Sequence, residues 1–401
     1  MRNKMRLGDI ATLITKGTTP TSVGYTFTDT GVNFVKIESI REDGTFIPDK
    51  FAHISDECNT KLKRSQLQEN DILFSIAGAI GRTAIVTKDC LPANTNQALA
   101  IIRIPQGVID YRFLLYALQS DAIIEQAEKQ KQGVAQLNLS LQNINDFEIP
   151  FFTEEEQLTA VEVLSSVDSL LSTRIAQLEQ LDELVKSRFI ELFGDPVSNP
   201  NNYLVKTLQE LIDMGYITYH LDGNHGGDYP RSDEFVEFGV PYIGANCIVN
   251  GEIDLSMAKY LTVERANKLR KGIAQNEDVL FAHNATVGPT VVLHTTEPKI
   301  ILSTSLTAYR CNKEKVSPYY LKLFMQSDGF VRQYASEMKQ TTRNQVPITV
   351  QKKYSFLIPP IDLQNQFAEF VEQTDKSKLA VQQSIAELEE LKKSLMQKYF
   401  G

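Results

Sequence analysis

The chain has 401 residues, enough for two or three domains that each bury a core, and its apolar and charged fractions, 42% and 23%, are ordinary for a globular protein. No apolar run is long enough to span a bilayer and residues 1–9 lack a signal-peptide pattern, so the sequence reads as cytoplasmic, with no membrane partner. A net charge of −9 argues against a nucleic-acid binder, but residues 151–200 alone hold 3 basic and 10 acidic side chains, whereas residues 1–150 hold 16 and 17 and residues 201–360 hold 17 and 16. A near-neutral region can still present one basic face.

The first half alternates strand-like runs with polar turns. Strands are predicted at 32–37, 71–76, 84–87 and 98–104, and a helix over 111–128. The loops between them, at 15–22, 77–82 and 93–97, are rich in Gly, Asn, Gln, Arg, Ser and Thr. Such side chains hydrogen-bond phosphates and base edges, and loops carry function more often than strands do.

Residues 153–193 contain neither Pro nor Gly. Thr153 with Glu156 forms a capping box, and Leu164, Leu171, Leu178, Val185 and Leu192 recur every seven residues. Val161, Ile175 and Phe189 form the companion series, interrupted by Asp168 and Asp182. A second such helix is predicted after Pro359-Pro360, with Asp362 as its N-cap and Phe367, Val381, Leu388 and Leu395 as its stripe. Two sustained heptad helices in one chain predict an antiparallel coiled coil of about 50–60 Å, a spacer.

The half between these helices repeats the first. Strands are expected at 240–243, 278–282, 290–294 and 305–310, and a helix over 318–338. Asp71-Ile-Leu-Phe-Ser75 returns as Asp278-Val-Leu-Phe-Ala282, residues 81–86 as 288–293, and 114–120 as 321–327, all displaced by 207 positions. Ile149-Pro150 returns as Ile358-Pro359, and Phe193-Gly194 as Phe400-Gly401. This period is too long for a solenoid and indicates a duplicated domain plus helix. The fold class is therefore α+β: a tandem duplication of an α/β domain, each copy followed by a long helix.

These features resemble the specificity subunits of type I restriction–modification enzymes. The resemblance runs along essentially the whole chain. It rests on Lys16-Gly17-Thr18-Thr19-Pro20, Phe34-Val-Lys-Ile37, Asp71 to Ser75, Gly78 to Arg82, and Ile149-Pro150 with Gln157 ahead of the Leu-Glu-rich helix. In the second half it rests on Asp222-Gly-Asn-His-Gly226 and on Ile358-Pro-Pro360 with Gln366. The resemblance implies two target recognition domains, 1–152 and 194–360, that read the halves of a bipartite double-stranded DNA target. It implies spacer helices at 153–193 and 361–401 that dock two copies of a DNA adenine methyltransferase subunit, with restriction and translocase subunits joining through them. Leu164, Leu171, Leu178, Val185, Val381, Leu388 and Leu395 would form the docking helices.

The expected DNA contacts are Lys16, Gly17, Thr18, Thr19, Lys36, Arg41, Gly78, Arg82, Asn96 and Gln97 in the first half. In the second they are Gly223, Asn224, His225, Arg231, Asn246, His283, Asn284, Thr304, Arg343 and Asn344. Arg and Lys suit phosphate and guanine, whereas Asn and Gln suit adenine. No catalytic residue is assigned: Asn199-Pro-Asn-Asn-Tyr203 lacks the second proline of an adenine methylase motif, and there is no phosphate-binding loop. No cofactor and no metal are expected. His220 and His225 lack a completing ligand, and Cys58, Cys90, Cys247 and Cys311 include no C-x-x-C pair and read as buried hydrophobes. The alternative is a two-domain adaptor that holds proteins without DNA specificity.

Overall fold

The computed structural model describes residues 4–129, 138–338 and 344–401. The chain divides into two compact units, Met1–Ile175 with Gln383–Gly401, and Ala176–Gln382.

In the first unit, four antiparallel strands stand in the order Leu13–Lys16, Leu99–Arg103, Ile72–Ser75 and Thr83–Ile85. Helices Tyr111–Gln119 and Asp121–Lys129 cover one face, and the core beneath them gathers Phe74, Ile102, Phe113 and Leu118. A smaller sheet orders Ala52–Ile54, Val32–Val35 and Ala93–Thr95, the last two running parallel. Lys4–Arg6 and Glu148–Pro150 pair antiparallel and close the domain.

The second unit repeats this plan and adds strands to it. Its larger sheet orders Ile217–Asp222, Leu306–Cys311, Val279–Asn284 and Thr286–Val292. Its smaller sheet contains Lys259–Leu261, Val240–Ile243 and Ile300–Leu302, again with the last two parallel, flanked by Phe235–Val236 and Ile273–Ala274. Leu204–Thr207 pairs with Ser355–Ile358. The duplication and the α+β class expected from the 207-residue period are both present.

The same buried ion pair locks each larger sheet. Arg103 Nε and Nη2 each donate to the Asp71 carboxylate at 2.6 Å, and Arg310 makes the same fork to Asp278 at 2.8 Å. Each aspartate also accepts from a backbone N–H three residues earlier, Gln68 or Gln275. A carboxylate that is 1% exposed is tolerable only with its acceptor sites filled in this way.

The predicted helix over 111–128 is two helices, broken at Ser120, and 318–338 is likewise two, broken at Ser327. Each serine hydroxyl donates back to a carbonyl of the preceding turn, Ala117 or Phe324, and ends that helix.

The central helix runs Glu154–Phe193 and the C-terminal helix Ile361–Phe400. The Thr153–Glu156 capping box forms as predicted, and Gly194, at φ +75°, stops the central helix. Asp362 is not the N-cap of the C-terminal helix; it lies in its first turn, after Pro360. The two helices pack together in opposite directions. In the first unit Val161 and Leu164 share a core with Leu395 and Phe400; in the second, Val185, Phe189 and Phe193 share one with Phe367 and Val371. Leu171, Leu178 and Leu388 are partly buried and Val381 is buried, whereas Ile175 is 51% exposed and falls outside the packed stripe. Asp168 and Asp182, which interrupt that stripe, pair with Lys392 and Lys378.

Two glutamines tie helix to domain. Gln157 accepts from the Asp110 N–H and donates to the Phe152 carbonyl. Its counterpart is Gln364, which accepts from the Ser317 N–H and donates to the Pro359 carbonyl. The resemblance matches Gln366 to this segment, but it is Gln364 that keeps the 207-residue displacement from Gln157. Among the described residues no helix is long and apolar enough to cross a membrane.

Candidate nucleic-acid interface

Parallel neighbours in a sheet bring their carboxyl ends to the same edge, where the loops that follow must meet. In the first unit Val32–Val35 is followed by Lys36, and Ala93–Thr95 by Asn96 and Gln97. The Thr95 hydroxyl donates to the Val35 carbonyl at 2.8 Å and joins the two ends. The Lys16–Thr19 loop crosses this edge: the Gly17 and Thr18 N–H groups donate to the Asn96 and Thr95 carbonyls, and Thr19 Oγ1 reaches the Gln97 side chain. A Cβ at Gly17 would stand 1.9 Å from the Thr95 carbonyl oxygen, so only glycine permits the crossing. Lys16, Gly17, Thr18, Thr19, Lys36, Asn96 and Gln97 thus form one patch.

The second unit builds the same edge with different side chains. Val240–Ile243 is followed by Gly244 to Asn246, and Ile300–Leu302 by Ser303 to Ser305. The Ser303 N–H donates to the Ile243 carbonyl at 2.7 Å, and Ser305 Oγ accepts from the Ala245 N–H at 2.8 Å. Gly223 takes the place of Gly17: its Cβ would lie 2.3 Å from the Ser303 carbonyl carbon. Asn246 and Thr304 stand at this edge, and His225, exposed beside it, contacts Asp222 through Nε2 at 2.7 Å.

Two side chains expected to touch DNA lie inside the domain instead. Asn224 is buried and donates to the Lys271 carbonyl at 2.7 Å, holding the crossing loop to its neighbour. His283 is 1% exposed and its Nδ1 donates to the Val346 carbonyl at 3.0 Å. Both were expected to touch DNA because polar residues in loops are usually solvated. Here the side chains satisfy backbone groups that the loops leave open.

Arg82 and Arg41 turn toward their own domain. Arg82 Nη1 donates to the Ile40 carbonyl at 3.0 Å and Nη2 lies 3.8 Å from Glu42; Arg41 Nη1 donates to Thr45 and to the Phe46 carbonyl. They pin the hairpin at 41–45 beside the 76–82 loop, whose Gly78, at φ +75°, faces open space. Asn284 forms an isolated bridge with Gln345, and Asn344 accepts the Ala285 N–H through its carbonyl and is exposed. Arg231 is exposed near Glu234. Arg343 lies outside the described residues.

Behind the second edge sits a group that sequence reasoning missed. His220 Nε2 donates to Gln351 Oε1 at 3.2 Å, and Gln351 also accepts from Tyr309 and donates to Thr307 and to the Val346 carbonyl. These bonds leave His220 Nδ1 and His283 Nε2 as buried lone-pair nitrogens without a hydrogen-bond partner among the described residues. Burial pushes the His220 imidazole down to about 4 and lowers His283 as well. The four cysteines are free, and three are buried. Among the described residues no three His, Cys, Asp or Glu side chains are arranged to hold a metal.

Residues 2–180 and 200–390 each match the family described as type I restriction modification DNA specificity domain. The chain is 29% identical over 167 residues to the type I restriction enzyme EcoBI specificity subunit of Escherichia coli, an alignment covering 39% of this chain and 34% of that one. It is 26% identical over 209 residues to a putative type I restriction enzyme MjaX specificity subunit of Methanocaldococcus jannaschii, covering 50% and 46%. The chain thus spans between a third and a half of the length of these two relatives. A solved chain from work on complex assembly and conformational transition of the type I R-M system superposes with a TM-score of 0.61 at 18% identity, over 99% of this chain and 97% of that one. The type I restriction-modification S subunit from M. genitalium gives 0.56 at 16%, over 100% and 96%.

Proposed function

Because this chain belongs to the family of type I restriction–modification DNA specificity domains, we propose that it is the sequence-reading subunit of such a system and performs no chemistry on the DNA it selects. Residues 1–152 and 194–360 act as target recognition domains, each reading one half of a bipartite duplex site. Residues 153–193 and 361–401 set the distance between the halves. They also dock two copies of an adenine methyltransferase subunit, to which restriction and translocase subunits attach.

The observation that carries this reading is the repeated edge: one backbone frame, fixed by Gly17 and Gly223, furnished with different polar side chains in each copy. Thr18, Thr19, Asn96 and Gln97 stand in one; His225, Asn246 and Thr304 stand in the other. Amides and hydroxyls of this kind discriminate the donor and acceptor patterns of the major groove. Lys16, Lys36 and Arg231 serve phosphates or guanine, and Gly78, Asn284 and Asn344 extend the two surfaces. Arg41 and Arg82 contribute by shaping the 41–45 and 76–82 loops. Two frames with different furnishings imply two different half-sites, separated by a gap constant in length and free in sequence.

Methylation mapping in cells that express the chain with its methyltransferase partner tests this directly. A two-part methylated motif is expected. Scrambling Asn96 and Gln97 changes one half of it only, scrambling Asn246 and Thr304 changes the other, and pull-down of the methyltransferase at two copies per chain survives both. Loss of partner binding with no change of motif would favour a protein adaptor.

A further inference from the structure

The smaller sheets of the two units share a short pattern, Phe27-x-Asp29-x-Gly31-Val32 in one and Phe235-x-Glu237-x-Gly239-Val240 in the other. The equivalence is structural as well. A Cβ on Gly31 would stand 2.5 Å from the Ile54 carbonyl oxygen, and one on Gly239 would stand 2.2 Å from that of Leu261. Val32 pairs with Ile54 and Phe34 with Ala52; Val240 pairs with Leu261 and Tyr242 with Lys259. Each pattern sets an aromatic pair edge to face or tilted: Phe27 on Phe34 at 5.4 Å, Phe235 on Tyr242 at 5.3 Å.

In both units a lysine ammonium stands over the outer ring of this pair. Lys36 Nζ lies 4.5 Å from the centre of Phe27, and Lys259 Nζ lies 4.8 Å from the centre of Phe235. The two lysines do not occupy equivalent positions. Lys36 follows the central strand, where the other unit has Gly244; Lys259 comes from the neighbouring strand, where the first unit has Ala52. Each unit therefore places one ammonium at one spot, by a different route. The spot adjoins the strand that ends at the recognition edge.

We propose that Lys36 and Lys259 are equivalent DNA-backbone anchors, each ammonium held over an aromatic ring so as to meet a phosphate beside the half-site that its domain reads. This rests on the DNA-reading function above and assigns Lys259, which the sequence pattern had not singled out. A phosphate is the same ligand whatever the bases, so both domains need the cation at the same place even where their reading residues differ. The ring fixes the ammonium without neutralising it and leaves its N–H donors on the open side for an anion. Lys259 is exposed and has no ion pair among the described residues, and Lys36 has only Glu38 at 3.9 Å.

Lys36→Met and Lys259→Met keep the apolar stem over the ring and remove the charge. Binding of the full chain to a duplex carrying the mapped target, and to a scrambled duplex, is measured by anisotropy between about 50 and 300 mM KCl. Each substitution is expected to weaken both duplexes by the same factor and to reduce the slope of log K against log salt by about one, with the double variant losing about two. Adding Ala52→Lys to Lys36→Met, which moves the ammonium to the position used in the other unit, restores slope and affinity. A lower melting temperature with an unchanged slope would make the lysines structural caps and overturn the proposal. So would a changed preference for target over scrambled duplex, or no rescue by Ala52→Lys. If the unsubstituted chain shows no preference for its target, the DNA-reading function fails, and the slopes on either duplex still decide the lysines. If it binds neither duplex, both fail.

Discussion

Asp168 and Lys392 close an ion pair of 2.7 Å between the central and C-terminal helices. The Tyr116 hydroxyl donates to the same carboxylate, also at 2.7 Å. Two heptads further along the central helix, and two heptads earlier on the other, Asp182 meets Lys378 at 2.6 Å. Both acids lie on one helix and both bases on the other. Two central helices meeting in this register would oppose Asp168 to Asp182, and two C-terminal helices would oppose Lys378 to Lys392. The heptad stripe is alike in both helices, and it is the charges that favour the unlike pair.

Reversing the acids tests this code. Asp168→Lys with Asp182→Lys lowers the melting temperature by several degrees, equivalent to about 1–2 kcal/mol for two partly exposed pairs and one lost tyrosine bond. Adding Lys378→Asp and Lys392→Asp restores most of the loss. A quadruple variant no more stable than the double would show that the pairs do not interact.

The buried forks are worth more. Asp71→Ala leaves the Arg103 guanidinium facing a void, and Asp278→Ala does the same to Arg310. Each is expected to cost about 3–5 kcal/mol, the range for removing one partner of a buried pair. The cost is local: hydrogen exchange should rise in 72–75 and 99–103 for the first variant, and in 279–284 and 306–311 for the second.

Acid weakens the second unit through its histidines. An imidazole held neutral by burial binds its proton less tightly folded than unfolded. Its contribution to stability is therefore complete above pH 6.5 and declines as the pH falls toward about 4. For His220 the difference amounts to about 3 kcal/mol at the acid end, and His283 shifts in the same direction. Asp222, Lys352 and His225 are the charged groups acting on this pair. Hydrogen exchange at pH 5 and pH 7 should show protection falling in 217–222 and 279–284. His220→Gln should flatten the pH dependence; an unchanged dependence would sink the assignment.

The crossing glycines give the sharpest separation of reading from assembly. Gly17→Ala drives a methyl group into the Thr95 carbonyl, and Gly223→Ala drives one into Ser303. Each is expected to abolish discrimination at its own half-site at an overpacking cost of about 1–3 kcal/mol, while the methyltransferase still co-purifies. Methylation of half-site variants in vitro reads the outcome.

Much of this architecture was legible from the residues. The constant displacement of 207 positions announced the duplication, and the run without Pro or Gly ended where the helix ends, at Phe193. The helix breaks at Ser120 and Ser327 were not legible, because the apolar period runs on through both. Nor was the interior placement of His283 and Asn224: a polar residue in a Gly-rich loop looks the same in sequence whether it faces water or a buried carbonyl. The partners of Asp71 and Asp278 were hidden for another reason. Arg103 and Arg310 stand within apolar strands, at their ends, and give no local sign of the fork they make across the sheet. Lys36 and Lys259 stand at non-equivalent positions, so no comparison of the two halves as strings could have matched them.

Phe400 packs against Phe113 with ring centres 5.1 Å apart, and residues 383–401 belong to the same unit as the first 175. A ribosome makes Phe113 nearly three hundred residues before it makes Phe400. The first unit therefore leaves the exit tunnel with one wall of its core missing, and it must wait in that state while the whole second unit is translated. Assembly begins at the start of the polypeptide but cannot finish there, and a premature stop codon near position 383 would injure the domain synthesised first.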